Sequence, residues 1–296
     1  MILKHFSITE LDFNSSKLSI GLMNSVDKDV GNLKEIKHTD VFSQWQGLIG
    51  TNELSIGARI IDHDKFSSHT TYNFNWARDL SANLRLNGSY ATATNLPNHY
   101  ANNANVKAGK TALKPELSQN MELGLNSLND WGNVELKIYK SKLKDAFKYN
   151  GSNWPLDYYE NDGIVNIQGV ELVLDTELMG WDLDSSLNFN KAIAKSTDLQ
   201  KGRRPNRTIS LNLSKSSGKW NRNINWTARS WAWDKDNHSN GKNGGYGLLN
   251  LSTSYDFTEN LSVYLNRNNA LDKDYEMAKG YNTLGKTSTL GLTYTF

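Results

Sequence analysis

The sequence contains no cysteine, only four prolines and no long apolar run. Without cysteine, the chain has no disulfide, no thiolate metal site and no cysteine nucleophile. No apolar segment approaches the roughly 18 residues of a membrane-spanning helix, which excludes a helical membrane protein. The 296 residues carry a formal net charge of only +2, so a nucleic-acid partner is not indicated.

Low hydropathy does not exclude a membrane β-barrel. Hydrophobic residues make up 38% of the chain and the mean hydropathy is −0.62. In a barrel only alternate strand residues face lipid, while the lumen and the loops stay polar. The segment Thr289–Phe296 has this alternation and ends on an aromatic residue, and Asn52–Ile61, Thr70–Trp76 and Leu249–Phe257 repeat the pattern. We therefore predict strands with one face toward lipid.

Connection lengths support the same fold, because short turns and long loops alternate. Short turns are predicted near Phe13–Ser16, Gly50–Asn52, Ala77–Leu80, Asn129–Gly132, Met179–Gly180, Ser217–Trp220 and Phe257–Asn260. Longer polar loops are predicted near Val26–Thr39, Ala93–Pro115, Lys148–Gly163, Lys195–Arg204, Trp233–Gly245 and Glu276–Lys286. Short periplasmic turns and long extracellular loops are typical of outer-membrane barrels. A soluble β-sandwich, the alternative, does not normally alternate its loop lengths so regularly.

Aromatic residues also follow the predicted short turns. Six of them are expected at the short-turn ends of strands, where amphipathic rings collect at a membrane interface: Trp76, Trp131, Trp181, Trp220, Phe257 and Phe296. The predicted fold is all-β, an antiparallel transmembrane β-barrel of about fourteen strands, each near the length that a tilted strand needs to span.

Five segments resemble a known family. The last part of the chain contains Asn269–Glu276, Gly280–Lys286 and a terminal Leu-Thr-Tyr-Thr-Phe. Earlier, Ala112–Ser118 resembles an L-x-P-E-x-S stretch and Ile167–Glu171 resembles an I-x-G-V-E strand. In order and spacing these segments resemble the C-terminal part of TonB-dependent outer-membrane receptors, most closely the members that carry cobalamin.

The resemblance implies a location in the cell outer membrane. It implies that residues 1–296 form the C-terminal part of a barrel of about 22 strands, without a plug domain. Met1–Ile8 lacks the apolar core of a signal peptide, so we expect either that a signal has been removed or that the chain is the later part of a longer protein.

The implied function is transport of a scarce, large nutrient, either cobalamin or an iron chelate. The implied partners are outer-membrane lipid, the ligand, a plug with the N-terminal half of the barrel, and the TonB energy complex; no nucleic acid and no cofactor are expected. A stand-alone passive porin of about fourteen strands is the alternative, since an even-numbered barrel can close around a polar lumen.

Two residues are implied as ligand contacts by the resemblance. Tyr281 lies in the Gly-Tyr-x-Thr-x-Gly element before the last strand, and Arg203 is the first of an arginine pair at a loop-to-strand junction. An aromatic face covers apolar ligand edges, and a guanidinium binds amides or phosphate. The alternative roles are a rim aromatic for Tyr281 and a solvated loop charge for Arg203.

Other chemistry is not indicated. The segment Asp234–Asn240 begins like a calcium loop but lacks the later glutamate, so an ordinary extracellular loop is expected. The six histidines have no metal-ligand spacing, and no nucleophile–base motif is present. We therefore predict neither a metal site nor an enzyme.

Overall fold

The chain folds almost entirely into β-strands. The structure is a computed structural model, and it describes residues 2–29, 34–151 and 157–296. In chain order the elements are β1 (Ile2–Phe13), β2 (Ser16–Asp29), β3 (Lys34–Ile49), β4 (Asn52–His63), β5 (His69–Ser81), β6 (Leu84–Asn95), α1 (His99–Lys107), β7 (Glu116–Asn129), β8 (Gly132–Lys144), β9 (Phe147–Asn150), β10 (Tyr158–Asn161), β11 (Ile164–Leu178), β12 (Trp181–Ala194), β13 (Leu199–Gln200), β14 (Arg207–Ser217), β15 (Trp220–Arg229), β16 (Ala232–Trp233), β17 (Lys242–Asn243), β18 (Tyr246–Asp256), β19 (Leu261–Asn268) and β20 (Thr287–Tyr294).

One sheet of sixteen strands contains most of these elements. Its hydrogen-bonded order runs from β1 through β8 and then through β11, β12, β14, β15, β18, β19 and β20, with β13 beside β12. The order is open, since β1 and β20 stand at its two ends. Two small hairpins, β9–β10 and β16–β17, lie outside this sheet. The strand count is therefore close to the predicted fourteen.

The chain divides into two compact units. Unit 1 consists of Met1–Leu123, Tyr139–Ile167 and Ala194–Thr197; unit 2 consists of Gly124–Ile138, Gln168–Ile193 and Asp198–Phe296. Within unit 1, β1 to β6 are paired antiparallel with their sequence neighbours. Within unit 2, β14, β15, β18, β19 and β20 are likewise antiparallel. No helix in the described part of the chain is long and apolar enough to cross a membrane.

Strand alternation places apolar side chains on an exposed face. In β4, Ile56 and Ile60 are 51% and 50% exposed. Their cross-strand partners in β5 are Phe74 and Thr70, so Ile56 and Phe74 lie side by side on the same face. The buried apolar residues of the described chain are mostly alanines, and they lie mostly near the loops: Ala101, Leu113, Ala146, Val165, Ala192, Ala194 and Ala232. Exposed apolar strand faces and a small buried core are typical of a sheet whose solvent is lipid.

Most predicted short turns are present. β1 and β2 are joined at residues 14–15, β11 and β12 at Met179–Gly180, and β14 and β15 at residues 218–219. The exception is the turn predicted at Ala77–Leu80, because β5 continues to Ser81 through a register shift between Asp79 and Ser81. Trp76 therefore lies inside β5, where its ring N–H donates to Asn52 at 2.9 Å.

The long loops contain structure that the alternation did not predict. Helix α1 begins at an Asn98 cap, whose side chain accepts a hydrogen bond from the Ala101 N–H, and the β9–β10 hairpin lies in the next loop. Residues 30–33 and 152–156 of two predicted loops lie outside the described residues. The first of these loops is shorter than predicted, since β2 extends to Asp29 and β3 begins at Lys34.

Residues of the family-like segments stabilise turns. Glu116 accepts hydrogen bonds from the Phe147 N–H at 2.5 Å and from the Asn95 amide at 2.7 Å. The Asn269 side chain bonds both the N–H and the carbonyl of Lys273, each at 2.9 Å. In two of the segments, polar side chains therefore form hydrogen bonds with backbone groups that would otherwise lack partners at strand ends.

Candidate functional site

Three long loops of unit 2 carry the predicted contact residues. We call them loop A (198–206), loop B (230–245) and loop C (269–286). Loop A contains Arg203 and loop C contains Tyr281, whereas loop B contains the β16–β17 hairpin. All three loops connect the long ends of strand pairs, opposite the short turns of unit 2.

A single buried carboxylate, Asp234 of loop B, contacts all three loops. Its side chain is only 1% exposed. Oδ1 accepts hydrogen bonds from the Lys279 N–H of loop C at 2.9 Å and from the Arg203 Nε of loop A at 3.4 Å. Within loop B, Asn243 donates to Oδ1 at 3.1 Å and Asn240 donates to Oδ2 at 2.7 Å. Asp234 therefore joins loops A, B and C.

Loops A and B are also joined along their length. Asp236 accepts a hydrogen bond from the Gly202 N–H at 2.7 Å and pairs with the Lys201 ammonium. The Arg203 N–H donates to the Trp233 carbonyl at 2.5 Å. Gly202 lies so close to the backbone of Lys235 that a Cβ at this position would be 2.7 Å from its carbonyl carbon, so only glycine fits here.

Cations and aromatic rings form the exposed surface of loop B. The Lys242 ammonium lies 3.8 Å from the ring centroid of Trp231 and 4.9 Å from that of Trp233. Trp233 is also stacked on His238, with centroids 4.0 Å apart and an interplanar angle of 9°. A cation over an aromatic face is stabilised by the ring quadrupole, so the ammonium has a defined position on this surface. We call Trp231, Trp233 and Lys242 the cation–aromatic cluster.

Arg203 and Tyr281 lie on this loop assembly with their side chains largely in solvent. Arg203 is 56% exposed and has a positive φ of 54°, fixed by its backbone bond to Trp233 and its side-chain bond to Asp234. Tyr281 is 72% exposed, and its N–H donates to the Ala278 carbonyl at 3.1 Å. The structure therefore connects both residues to Asp234, Arg203 directly and Tyr281 through Lys279, two residues earlier. Their role in ligand binding stays a prediction.

Neither the junction at Asp234 nor the cation–aromatic cluster was predicted from the sequence. The oxygen-rich run Asp234–Asn240 only begins like a calcium loop, and its side-chain oxygens accept hydrogen bonds from protein N–H groups. Asn240 uses its amide to donate to Asp234. Within the residues that the structure describes, no group of three or more histidine, aspartate or glutamate side chains is arranged to hold a metal ion.

The charge state of Asp234 sets the pH range in which its hydrogen bonds stabilise the loops. Burial alone would raise the pKa of this carboxyl, but its hydrogen bonds and the nearby guanidinium outweigh burial and hold the pKa well below its ordinary range. The folded pKa is therefore lower than the unfolded one. The carboxylate stabilises the loops above the unfolded pKa of about 3.9 and loses this contribution as the pH falls through the folded pKa.

We accordingly expect the Lys279 amide to be equally protected from hydrogen exchange at about pH 7 and about pH 5, and to lose protection only below about pH 4. Exchange rates, corrected for their intrinsic pH dependence, measure this directly. Asp234→Asn is the control, since it removes the titrating group and should abolish the acid transition. Loss of protection between about pH 7 and pH 6 would instead assign the transition to a histidine.

Unit 1 has a second loop cluster, which is rich in tyrosine. The Tyr149 and Tyr159 rings lie 5.1 Å apart, and Tyr100 contacts Tyr159 edge-on at 6.4 Å. The Tyr149 hydroxyl donates to Asp157 at 2.6 Å, and this hydrogen bond raises the pKa of Tyr149 to about 12. The phenol is therefore protonated at neutral pH. This cluster offers aromatic faces and hydroxyl donors, and it also has an exposed cation, since the Lys110 ammonium lies 4.6 Å from the ring centroid of Tyr158.

Comparisons with known proteins agree with this architecture. The family model for the TonB-dependent receptor-like β-barrel matches residues 6–270. A mutant of the ferric enterobactin receptor PfeA from Pseudomonas aeruginosa superposes with a TM-score of 0.84 at 17% identity, covering 100% of this chain and 54% of that one. The copper transporter OprC gives a TM-score of 0.81 at 17% identity, with 100% and 56% covered. The siderophore receptor PirA from Acinetobacter baumannii gives 0.81 at 16% identity, with 100% and 54% covered.

At these identities the superpositions establish the fold, and the chain spans about half the length of each solved structure. They confirm the predicted all-β barrel architecture. The family model, in turn, matches most of the chain. The chain therefore belongs to the TonB-dependent receptor β-barrel family, whose members lie in the outer membrane of Gram-negative bacteria.

Proposed function

We propose that the chain forms part of an outer-membrane receptor that captures a large anionic metal chelate on loops A, B and C, with an iron chelate as the first candidate and cobalamin as the second. The observation that carries this proposal is the combination of exposed cations with aromatic faces on interlocked loops. Arg203 and the cation–aromatic cluster supply both kinds of contact. The family consists of transport receptors rather than enzymes.

The chemistry of these side chains suits an anionic, ring-bearing ligand. A guanidinium forms paired hydrogen bonds with carboxylate or phenolate oxygens, and an ammonium contributes a point charge. Aromatic faces such as those of Trp231 and Tyr281 cover the flat apolar edges of such a ligand at little cost in side-chain entropy. The same groups suit cobalamin less closely, since its amides are neutral and its phosphate is its only anionic side group. Two of the similar solved structures are named as ferric enterobactin and siderophore receptors, which favours the iron chelate.

The partners follow from the resemblance. We propose that residues 1–296 supply the C-terminal part of the barrel, and that a plug, the N-terminal strands and the TonB energy complex complete the transporter. The chelate would first bind the extracellular loops, and movement of the plug would then admit it.

A passive porin is the alternative function, because amide and hydroxyl side chains lie side by side on the polar face of unit 2. Asn223 donates to Asn212 at 2.7 Å, and Asn212 donates to Asp184 at 3.1 Å. On the same side, Ser252 donates to Asn266 at 2.6 Å. A wall of amides and hydroxyls suits water and small neutral solutes.

Binding of two probes to the full chain, refolded in detergent, tests the proposal. We expect a ferric tris-catecholate to quench tryptophan fluorescence and to bind more tightly than cyanocobalamin. Arg203→Gln and Tyr281→Ala should each weaken the iron chelate about tenfold, the effect of one lost charged or aromatic contact. Tyr100→Ala is the matched control, since Tyr100 is 68% exposed on a unit 1 loop and its loss should leave the affinity unchanged.

Three outcomes separate the candidates. Tighter cyanocobalamin binding that depends on Arg203 would replace the iron chelate with cobalamin. Steady single-channel openings in a planar bilayer, with no binding of either probe, would favour the porin. Chelate binding that is unaffected by both variants would overturn the assignment of the site to the loops of unit 2.

A further inference from the structure

Asp234 has a position that the proposed function does not itself require. We propose that Asp234 is a positioning residue, which holds loop C and its Tyr281 against loops A and B in the arrangement that binds the ligand. The inference rests on the proposed function, since it assigns to Asp234 a role in presenting the contact residues. Asp234 itself is buried, so it acts through the loops and does not touch the ligand.

The attachment of loop C differs from that of loop A. Loops A and B are joined by several contacts that do not involve Asp234, among them the bond from the Gly202 N–H to Asp236 and that between His238 and the Gln200 carbonyl, each at 2.7 Å. Among the described residues, the shortest hydrogen bonds from loop C to loop B both come from Lys279, whose N–H donates to Asp234 and whose ammonium donates to the Asn240 carbonyl, each at 2.9 Å. Asn240 is itself bonded to Asp234 at 2.7 Å. Removing Asp234 therefore weakens loop C most.

A carboxylate suits this junction because its neighbours are donors. The Lys279 N–H, the Asn240 amide and the Arg203 guanidinium all donate to it. An asparagine at this position offers one acceptor and turns an NH₂ group toward at least one of these donors, so one bond is lost and a donor faces a donor. The buried N–H groups left without a partner then favour an open arrangement of loop C.

Opening of loop C would lower affinity without changing any ligand contact. In wild type the loops are ordered before the ligand arrives, so little conformational entropy is lost on binding. When loop C is free, the ligand must order it, and the apparent affinity falls by the fraction of molecules that hold the bound arrangement. A loss of affinity is therefore expected only if loop C contributes a contact to the ligand, and Tyr281 is the predicted contact residue.

A double-mutant cycle tests the inference. We expect Asp234→Asn to weaken the ferric tris-catecholate about tenfold, as expected when a few side chains must be ordered on binding. In a Tyr281→Ala background the same substitution should cost no more than about twofold, because the residue that Asp234 positions is already absent. Asp272→Asn is the matched control. Asp272 accepts a hydrogen bond from the Lys286 N–H at 2.9 Å and pairs with the Lys286 ammonium, and both of these contacts lie within loop C.

Hydrogen exchange in the ligand-free protein gives a second readout. The Lys279 amide should exchange at least about tenfold faster in Asp234→Asn than in wild type, while strand amides of β18 keep their rates, since a local opening exposes only the loop. An unchanged Lys279 rate, or equal affinity losses in the wild-type and Tyr281→Ala backgrounds, would overturn the inference. If wild type binds neither probe, the proposed function fails while the exchange rate of Lys279 still decides the positioning role.

Discussion

An Arg59→Met variant is expected to lose about 3 kcal/mol of its free energy of unfolding, because the substitution leaves a buried carboxylate without its counterion. Asp40 of β3 is fully buried, and its Oδ2 binds the Arg59 guanidinium of β4. The other oxygen, Oδ1, has no hydrogen-bond partner in the described part of the chain, so Arg59 is the main stabilising group. Among the described residues, His38 also lies near Asp40, with its Nε2 3.8 Å from Oδ2. Urea titration of the full chain in detergent measures the effect.

A second substitution separates the cost of the buried charge from the loss of arginine contacts. In the double variant Asp40→Asn, Arg59→Met the carboxylate is gone, and the stability should return to within about 1 kcal/mol of wild type. Lys17→Met is the matched control from the same unit, since Lys17 and Glu10 form an exposed pair at 2.7 Å whose loss should have little effect on stability. Equal losses for Arg59→Met and Lys17→Met would contradict the account.

An Asn105→Ala variant is expected to destabilise the long loops of unit 1 by about 3 kcal/mol, because it leaves several buried backbone groups without partners. Asn105 of α1 is 1% exposed. Its amide donates to the carbonyls of Thr111 and Tyr159, each at 2.9 Å, and its oxygen accepts the Tyr159 N–H at 2.7 Å. Asn105 thus joins α1 to the β9–β10 hairpin.

Hydrogen exchange of the Tyr159 amide measures this loss. We expect the protection of this amide to fall about a hundredfold, which corresponds to about 2.7 kcal/mol. Val106→Ala, the neighbouring control, removes a side chain that is 70% exposed and should leave the rate unchanged. A Tyr159 rate that is the same in wild type and Asn105→Ala would show that Asn105 does not hold the hairpin.

The strands could be predicted because their pattern is local. Period-two alternation in Asn52–Ile61 depends only on neighbouring residues, and turns such as Met179–Gly180 need a residue that adopts a positive φ. The turn after β5 was misplaced because the register shift between Asp79 and Ser81 depends on pairing with β6, which alternation does not encode. Helix α1 has a local signal in its Asn98 cap, but nine residues with little apolar patterning are hard to distinguish from a loop.

The site could be predicted only in part. Arg203 and Tyr281 came from a resemblance between short segments, and their binding role stays a prediction. Asp234 was not predicted, because its partners Arg203 and Lys279 lie 31 and 45 residues away in the sequence. Its acidic, asparagine-rich surroundings resembled a metal loop, although the fold surrounds the carboxylate with N–H donors. Side chains that act through such distant partners carry no periodic signal.

The central claim is that the loops of unit 2 face the cell exterior, where a nutrient is captured, and labelling of intact cells tests it most directly. The chain has no cysteine, so Tyr281→Cys and Lys219→Cys each introduce a single thiol, one in loop C and one in a short turn. The account predicts that a membrane-impermeant maleimide labels Tyr281→Cys on intact cells and labels Lys219→Cys only after the outer membrane is opened. Labelling of Lys219→Cys but not Tyr281→Cys on intact cells would contradict it.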